Sequence, residues 1–128
     1  MNEKILIVED DPVHMKLVEM TLRAKNYTLL KATDGEEALD MAIRERPNLI
    51  IMDLNLPGMT GFEVSKKLRK NPAFSHTPII AITAYAMARD REMVIESGCN
   101  AYLSKPIDTR ELPGVIAELL SGGKQDNT

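Results

Sequence analysis

Three stretches of the chain carry four apolar residues in a row: Ile5-Leu6-Ile7-Val8, Leu49-Ile50-Ile51-Met52 and Ile79-Ile80-Ala81-Ile82. Alternation of apolar and polar positions would mark a strand with one wet face. Unbroken runs of this length mark strands of a parallel sheet covered on both faces. Weaker strands are predicted at Thr28 to Ala32 and Ala101 to Leu103. Between the runs the period becomes helical. Pro12 to Ala24 places Val13, Leu17 and Met20 on one side, Asp34 to Arg44 carries Ala38, Leu39 and Ala42, and Gly61 to Lys70 carries Val64 and Leu68. A fourth helix is predicted from about Met87 to Glu96, with Met93, Val94 and Ile95 clustered. A fifth follows Asp108, a cap with Glu111 three residues on, and runs through Leu112, Val115, Ile116, Leu119 and Leu120. Pro113 lacks an N–H, so that helix must begin late or bend.

Strand and helix therefore alternate five times. Right-handed crossovers between parallel neighbours make this an α/β fold, a doubly wound five-stranded parallel sheet with helices on both faces, for which the flavodoxin-like order 2-1-3-4-5 is expected. The 128 residues suit one domain, expected over residues 1–120, with the polar stretch Ser121 to Thr128 as a flexible C-terminal tail. Sixteen Lys and Arg against nineteen Asp and Glu, with no basic run, argue against nucleic acid as a direct partner. The single cysteine, Cys99, closes no intramolecular disulfide and supports no thiolate metal cluster. The N-terminal apolar run is far short of a signal core or a membrane span, so no membrane association is expected and the cytoplasm is the expected compartment.

The strands end in residues that a buried strand does not otherwise carry. Glu9-Asp10-Asp11 follows the first, Asp53 the third, Thr83 the fourth, and Lys105 the fifth, ahead of Pro106. Parallel order delivers all of them to the carboxyl rim, and the strand order reverses between strands one and three, where Asp10 and Asp53 would face each other. Two carboxylates about 5 Å apart repel by roughly 3 kcal/mol at an effective dielectric of about 20. A hard divalent cation taken by oxygen ligands, Mg²⁺ foremost, offsets that repulsion, and the Lys105 ammonium can neutralise an anionic ligand. A carboxylate so placed can attack phosphorus, with alignment and charge neutralisation supplying the catalysis, which makes Asp53 the candidate nucleophile. His14 and His76 are expected to lie apart from this cluster, and Asp11 to cap a helix that starts at Pro12. A Mg²⁺-dependent phosphohydrolase of similar strategy needs a second acid two residues after its nucleophile; Asn55 stands there, leaving no general acid for the departing group.

The motifs Ile5-Leu6-Ile7-Val8-Glu9-Asp10-Asp11, Met52-Asp53-Leu54-Asn55-Leu56-Pro57-Gly58-Met59-Thr60-Gly61, Thr83-Ala84 and Tyr102-Leu103-Ser104-Lys105-Pro106 together resemble the receiver domains of two-component response regulators, over about Lys4 to Leu120. The stretches Thr83 to Met87 and Gly98 to Tyr102 look like those of single-domain regulators and of hybrid-kinase receivers. The resemblance implies phosphorylation of Asp53 by a histidine kinase or histidine phosphotransfer protein. Asp10, Asp53 and the backbone carbonyl of Asn55 would hold Mg²⁺, Glu9 would assist, and Lys105 would pair with the phosphoryl oxygens. Thr83 would move to the phosphoryl group, Ala84 would leave it space, and Tyr102 would turn inward, remodelling the face made by helix four, strand five and helix five. The Lys105–Pro106 bond would be cis, and Asn55 and Tyr85 would tune the phosphoryl lifetime. Such a protein takes the phosphoryl group onto itself rather than turning over a substrate. A chain ending where an output domain would begin would act through a downstream protein partner or onward phosphotransfer, and a homodimer on phosphorylation is compatible with it.

Overall fold

The computed structural model describes residues 2–84 and 88–125, excepting the side chains of 88–91 and 122–125. Five parallel strands, β1 (Lys4–Val8), β2 (Thr28–Ala32), β3 (Leu49–Asp53), β4 (Ile79–Thr83) and β5 (Ala101–Ser104), form one sheet in the order β2-β1-β3-β4-β5. The helices between and after them are α1 (Pro12–Leu22), α2 (Gly35–Glu45), α3 (Gly61–Lys70), α4 (Ala88–Glu96) and α5 (Glu111–Gln125). Three of the strands are the unbroken apolar runs, and the reason they are unbroken is visible in the packing. Leu6, Val8, Ile50, Met52, Ile79 and Ala81 face a core closed by Ala38 and Ala42 of α2, Val64 and Leu68 of α3, and Val94 of α4. Their neighbours Ile5, Ile7, Leu49, Ile51, Ile80 and Ile82 face a second core closed by Met15, Val18 and Leu22 of α1 and by Leu112 and Ile116 of α5. Truncating one of these buried isoleucines to Ala costs about 2–5 kcal/mol in such a setting.

The helix ends follow from local chemistry. Asp11 caps α1, its side chain accepting from the Val13 N–H at 2.8 Å, with Pro12 at the first helical position, where a missing N–H costs nothing. Asp34 caps α2 in the same way, and Thr60 with Glu63 forms a capping box on α3. Ahead of α5, Asp108 accepts from the Arg110 and Glu111 N–H groups on its side chain and from the Leu112 N–H on its carbonyl, and Pro113, two residues into the helix, lacks the N–H that would continue that series.

One expectation needs correction. The residues of α1 buried in the core are Met15, Val18 and Leu22; of the stripe Val13, Leu17 and Met20 only Leu17 packs partly against it, while Val13 is 74% and Met20 58% exposed. Both stripes have helical spacing, and the direction in which the Asp11 cap launches the helix decides between them. Helix α5 runs on through Ser121 as far as Gln125, with the Ser121 hydroxyl donating to the carbonyls of Ala117 and Glu118. Tyr85 and Met87, and residues 126–128 of the expected tail, lie outside the described residues.

Candidate functional site

Strand register builds the site. Val8 lies beside Met52 on the β1–β3 pair and Thr83 beside Ser104 on the β4–β5 pair. The ladder then runs past the strand ends: the Glu9 N–H donates to the Ala32 carbonyl at 3.0 Å, Leu54 to Ile82 at 2.9 Å, and Lys105 to Thr83 at 2.8 Å. Glu9, Asp53 and Lys105 are thus positioned by backbone bonds rather than by loops. Behind them, α3 packs so closely that a Cβ at Gly61 would collide with the Asp53 carbonyl, which is why a glycine opens that helix.

Carboxylate oxygens of Glu9, Asp10 and Asp53 gather within 4.8 Å of one another. Glu9 and Asp53 are buried, at 3% and 2% exposure, while Asp10 is open to solvent. The Lys105 ammonium reaches both buried acids, at 3.2 Å from Asp53 Oδ2 and 3.4 Å from Glu9 Oε1. The Asp53 Oδ1 oxygen accepts from the Asn55 N–H at 2.9 Å. Among the described residues three carboxylates, two of them buried and Asp10 at the solvent edge, face one ammonium, and Glu9 registers the excess. Burial first, then its hydrogen bond and repulsion with Asp53, raise its pKa from 4.5 to about 7. Burial disfavours the Lys105 ammonium, but Asp53 and then Glu9 outweigh it and hold its pKa above that of ordinary lysine. An all-oxygen acid cluster lacking two positive charges fits Mg²⁺.

The sequence-predicted residues fall into two groups. Glu9, Asp10, Asp53 and Lys105 converge directly, and Asn55 touches Asp53 through its backbone. Thr83, buried at the end of β4, is linked to the group through Asn55, whose side-chain Oδ1 accepts from Thr83 Oγ1 at 3.2 Å and from the Ala84 N–H at 3.3 Å. Tyr102 sits farther along β5, partly buried against the core beneath α2, α3 and α4, and the Lys105–Pro106 peptide bond is cis. His14 is not apart from the cluster, as the sequence suggested. Its Nδ1 lies 3.4 Å from Asp11 Oδ2 and 4.0 Å from Glu9 Oε2, buried and without a hydrogen bond among the described residues. The signal was present in its position three residues after Asp11, on the first turn of the helix that the acid run caps.

Residues 5–117 match the response regulator receiver domain family. The polar-differentiation response regulator DivK of Brucella anthropi is 44% identical over 107 residues, 84% of this chain and 87% of DivK. Among solved structures, chemotaxis protein CheY4 of Vibrio cholerae superposes with a TM-score of 0.88 at 31% identity, covering 93% of this chain and 99% of the other. The receiver domain of a sensor histidine kinase from Pseudomonas aeruginosa, solved with a magnesium ion coordinated in its active-site cleft, gives 0.87 at 35% identity, covering 94% and 99%. Among the described residues, no helix is long and apolar enough to cross a membrane.

Proposed function

The chain belongs to the response regulator receiver domain family of two-component signalling, and from that premise we propose that Asp53 accepts a phosphoryl group from a phosphohistidine on a histidine kinase or phosphotransfer protein. Glu9, Asp10, Asp53 and the Asn55 carbonyl would hold Mg²⁺, which when bound supplies the positive charge that the three carboxylates and the transferring oxygens require. An Asp53 carboxylate oxygen forms the new O–P bond as the donor's N–P bond breaks, and that bond's electron pair remains on the imidazole nitrogen. Protonation of the second ring nitrogen lets the donor leave as neutral imidazole. Lys105, already 3.2 Å from Asp53, neutralises the incoming phosphoryl oxygens, and the Asn55 N–H keeps the carboxylate in position.

The exposed stripe of α1 suits the donor. Pro12, Val13, Lys16, Leu17 and Met20 line a shallow apolar surface that starts directly beside the acid cluster, so a helix seated there would bring its phosphohistidine to the rim. Once Asp53 carries the phosphoryl group, Thr83 moves to it, the small Ala84 leaves room, and Tyr102 turns inward beside the cis Lys105–Pro106 bond. The face made by α4, β5 and α5 then changes its affinity for a downstream protein or for a second copy of the chain.

The observation that carries this reading is the buried Asp53 carboxylate, held by Lys105 amid two further acids. With acetyl phosphate and Mg²⁺, intact-mass spectra should show one phosphoryl adduct, acid-stable and base-labile, that disappears in Asp53→Asn. An adduct that persists in that variant, or none in the wild type, rejects the assignment.

A further inference from the structure

Asn55 joins three groups that phosphorylation would have to rearrange. Its backbone N–H donates to Asp53 Oδ1, while its side-chain Oδ1 accepts from the Thr83 hydroxyl at 3.2 Å and from the Ala84 N–H at 3.3 Å. A backbone N–H can donate only to the oxygen of a side-chain amide, so the Ala84 contact also fixes which way that amide points. The oxygen therefore spans the gap between the loop after β3 and the end of β4. Any shift of the Thr83 hydroxyl towards a group on Asp53 has to break its bond to Asn55. If Ala84 follows, the second bond goes as well.

We infer that the Asn55 side chain is a positioning residue for the switch: it braces Thr83 and Ala84 in the unphosphorylated arrangement and so sets how far the resting protein is from the switched one. The inference rests on the reading of Asp53 as phosphoacceptor and Thr83 as the group that answers it. A ligand mimicking the phosphoryl group must supply the free energy to release the brace. Its apparent affinity is reduced by the small fraction of molecules already released, and removing the brace returns that factor.

Beryllofluoride with Mg²⁺, a phosphoryl mimic, serves as the probe, read through amide NMR shifts of Thr83, Ala84 and Tyr102. In ligand-free Asn55→Ala these amides should lie part of the way along the line joining the resting and beryllofluoride-bound positions of the wild type. Beryllofluoride should bind the variant about tenfold more tightly, the factor expected for loss of about one net hydrogen bond. Asn55→Asp, which keeps an acceptor at the same place, should stay at the resting positions in Mg²⁺-free buffer. In a Thr83→Ala background the effect of Asn55→Ala on beryllofluoride affinity should shrink to the part due to Ala84. Resting-state shifts in Asn55→Ala, or affinity unchanged or weaker, overturn the brace. Wild-type protein that binds no beryllofluoride in the presence of Mg²⁺ would instead reject the phosphoacceptor reading on which it rests. Asn55 is solvent-exposed, so the variant is expected to fold, and dispersed amide signals verify that it has.

Discussion

The molecule has two corners where charge is taken partly out of water, and they are built on opposite principles. At the amino rim of the sheet, the guanidinium of Arg69 at the end of α3 donates to the carbonyls of Gly98 and Phe74 and to Asn100 Oδ1, which also accepts from the Ile79 N–H. Burial lowers its pKa, but its donors meet neutral acceptors and tie the turn before β5 to the segment before β4. At the carboxyl rim, Glu9 and Asp53 share the ammonium of Lys105 beside Asp10, and among the described residues the three acids outnumber the cations that meet them. The Arg69 charge is closed within the chain, whereas the second corner would be completed by the Mg²⁺ and phosphoryl group of the proposed function. That residue of unmet charge marks a site more specifically than burial alone.

Substitutions at the two corners should separate cleanly. Asp53→Asn should abolish phosphoryl incorporation while leaving the urea midpoint unchanged or higher, because it relieves repulsion with Glu9; a fall in stability would show that the corner is structural. Arg69→Met should do the reverse, costing about 2–4 kcal/mol in urea unfolding through carbonyls left without donors, with acetyl phosphate labelling retained. Wild-type stability in Arg69→Met would remove the contrast.

Acid titration sharpens it further. A carboxyl whose pKa rises from 4.5 unfolded to about 7 folded binds more protons in the folded state between those values, so stability falls as pH rises through that window. The loss, on the order of 3 kcal/mol, is fully present above about pH 7 in Mg²⁺-free buffer. Unfolding measured from pH 5 to 8 should show this slope in the wild type, a flatter one with Mg²⁺ and none attributable to Glu9 in Glu9→Gln. The smallest effect on folding belongs to Val13→Asp, within about 0.5 kcal/mol, since that side chain is exposed. It should nonetheless slow transfer from a protein phosphodonor about tenfold and leave acetyl phosphate labelling intact, and equal slowing of both would detach the α1 stripe from donor docking.

Most of this was legible in the sequence for identifiable reasons. Unbroken runs this short, bounded by polar and turn residues, fit strands with two covered faces, and a parallel sheet brings their ends to one rim, so Glu9, Asp10, Asp53 and Lys105 could be placed together without coordinates. The α1 face was not legible, because Val13-Leu17-Met20 and Met15-Val18-Leu22 are equally apolar at helical spacing. His14 was set aside because one histidine beside an acid run reads as solvent-facing until the helix direction is known. The link between Asn55 and Thr83 joins residues 28 apart through one side-chain oxygen, and no local pattern encodes it. Arg69 gave no signal, since an arginine among the lysines of α3 looks like part of a wet surface.

Lys105 and Asp53 meet across 52 positions of chain, and both are seated by ladder bonds that exist only when their strands have docked. A nascent or partly melted polypeptide therefore offers a donor nothing to charge. If Asp53 is the phosphoacceptor, the labelled fraction of a population would count the molecules whose central and edge strands are fully zipped, and a destabilising lesion far from the rim would register first as weaker labelling.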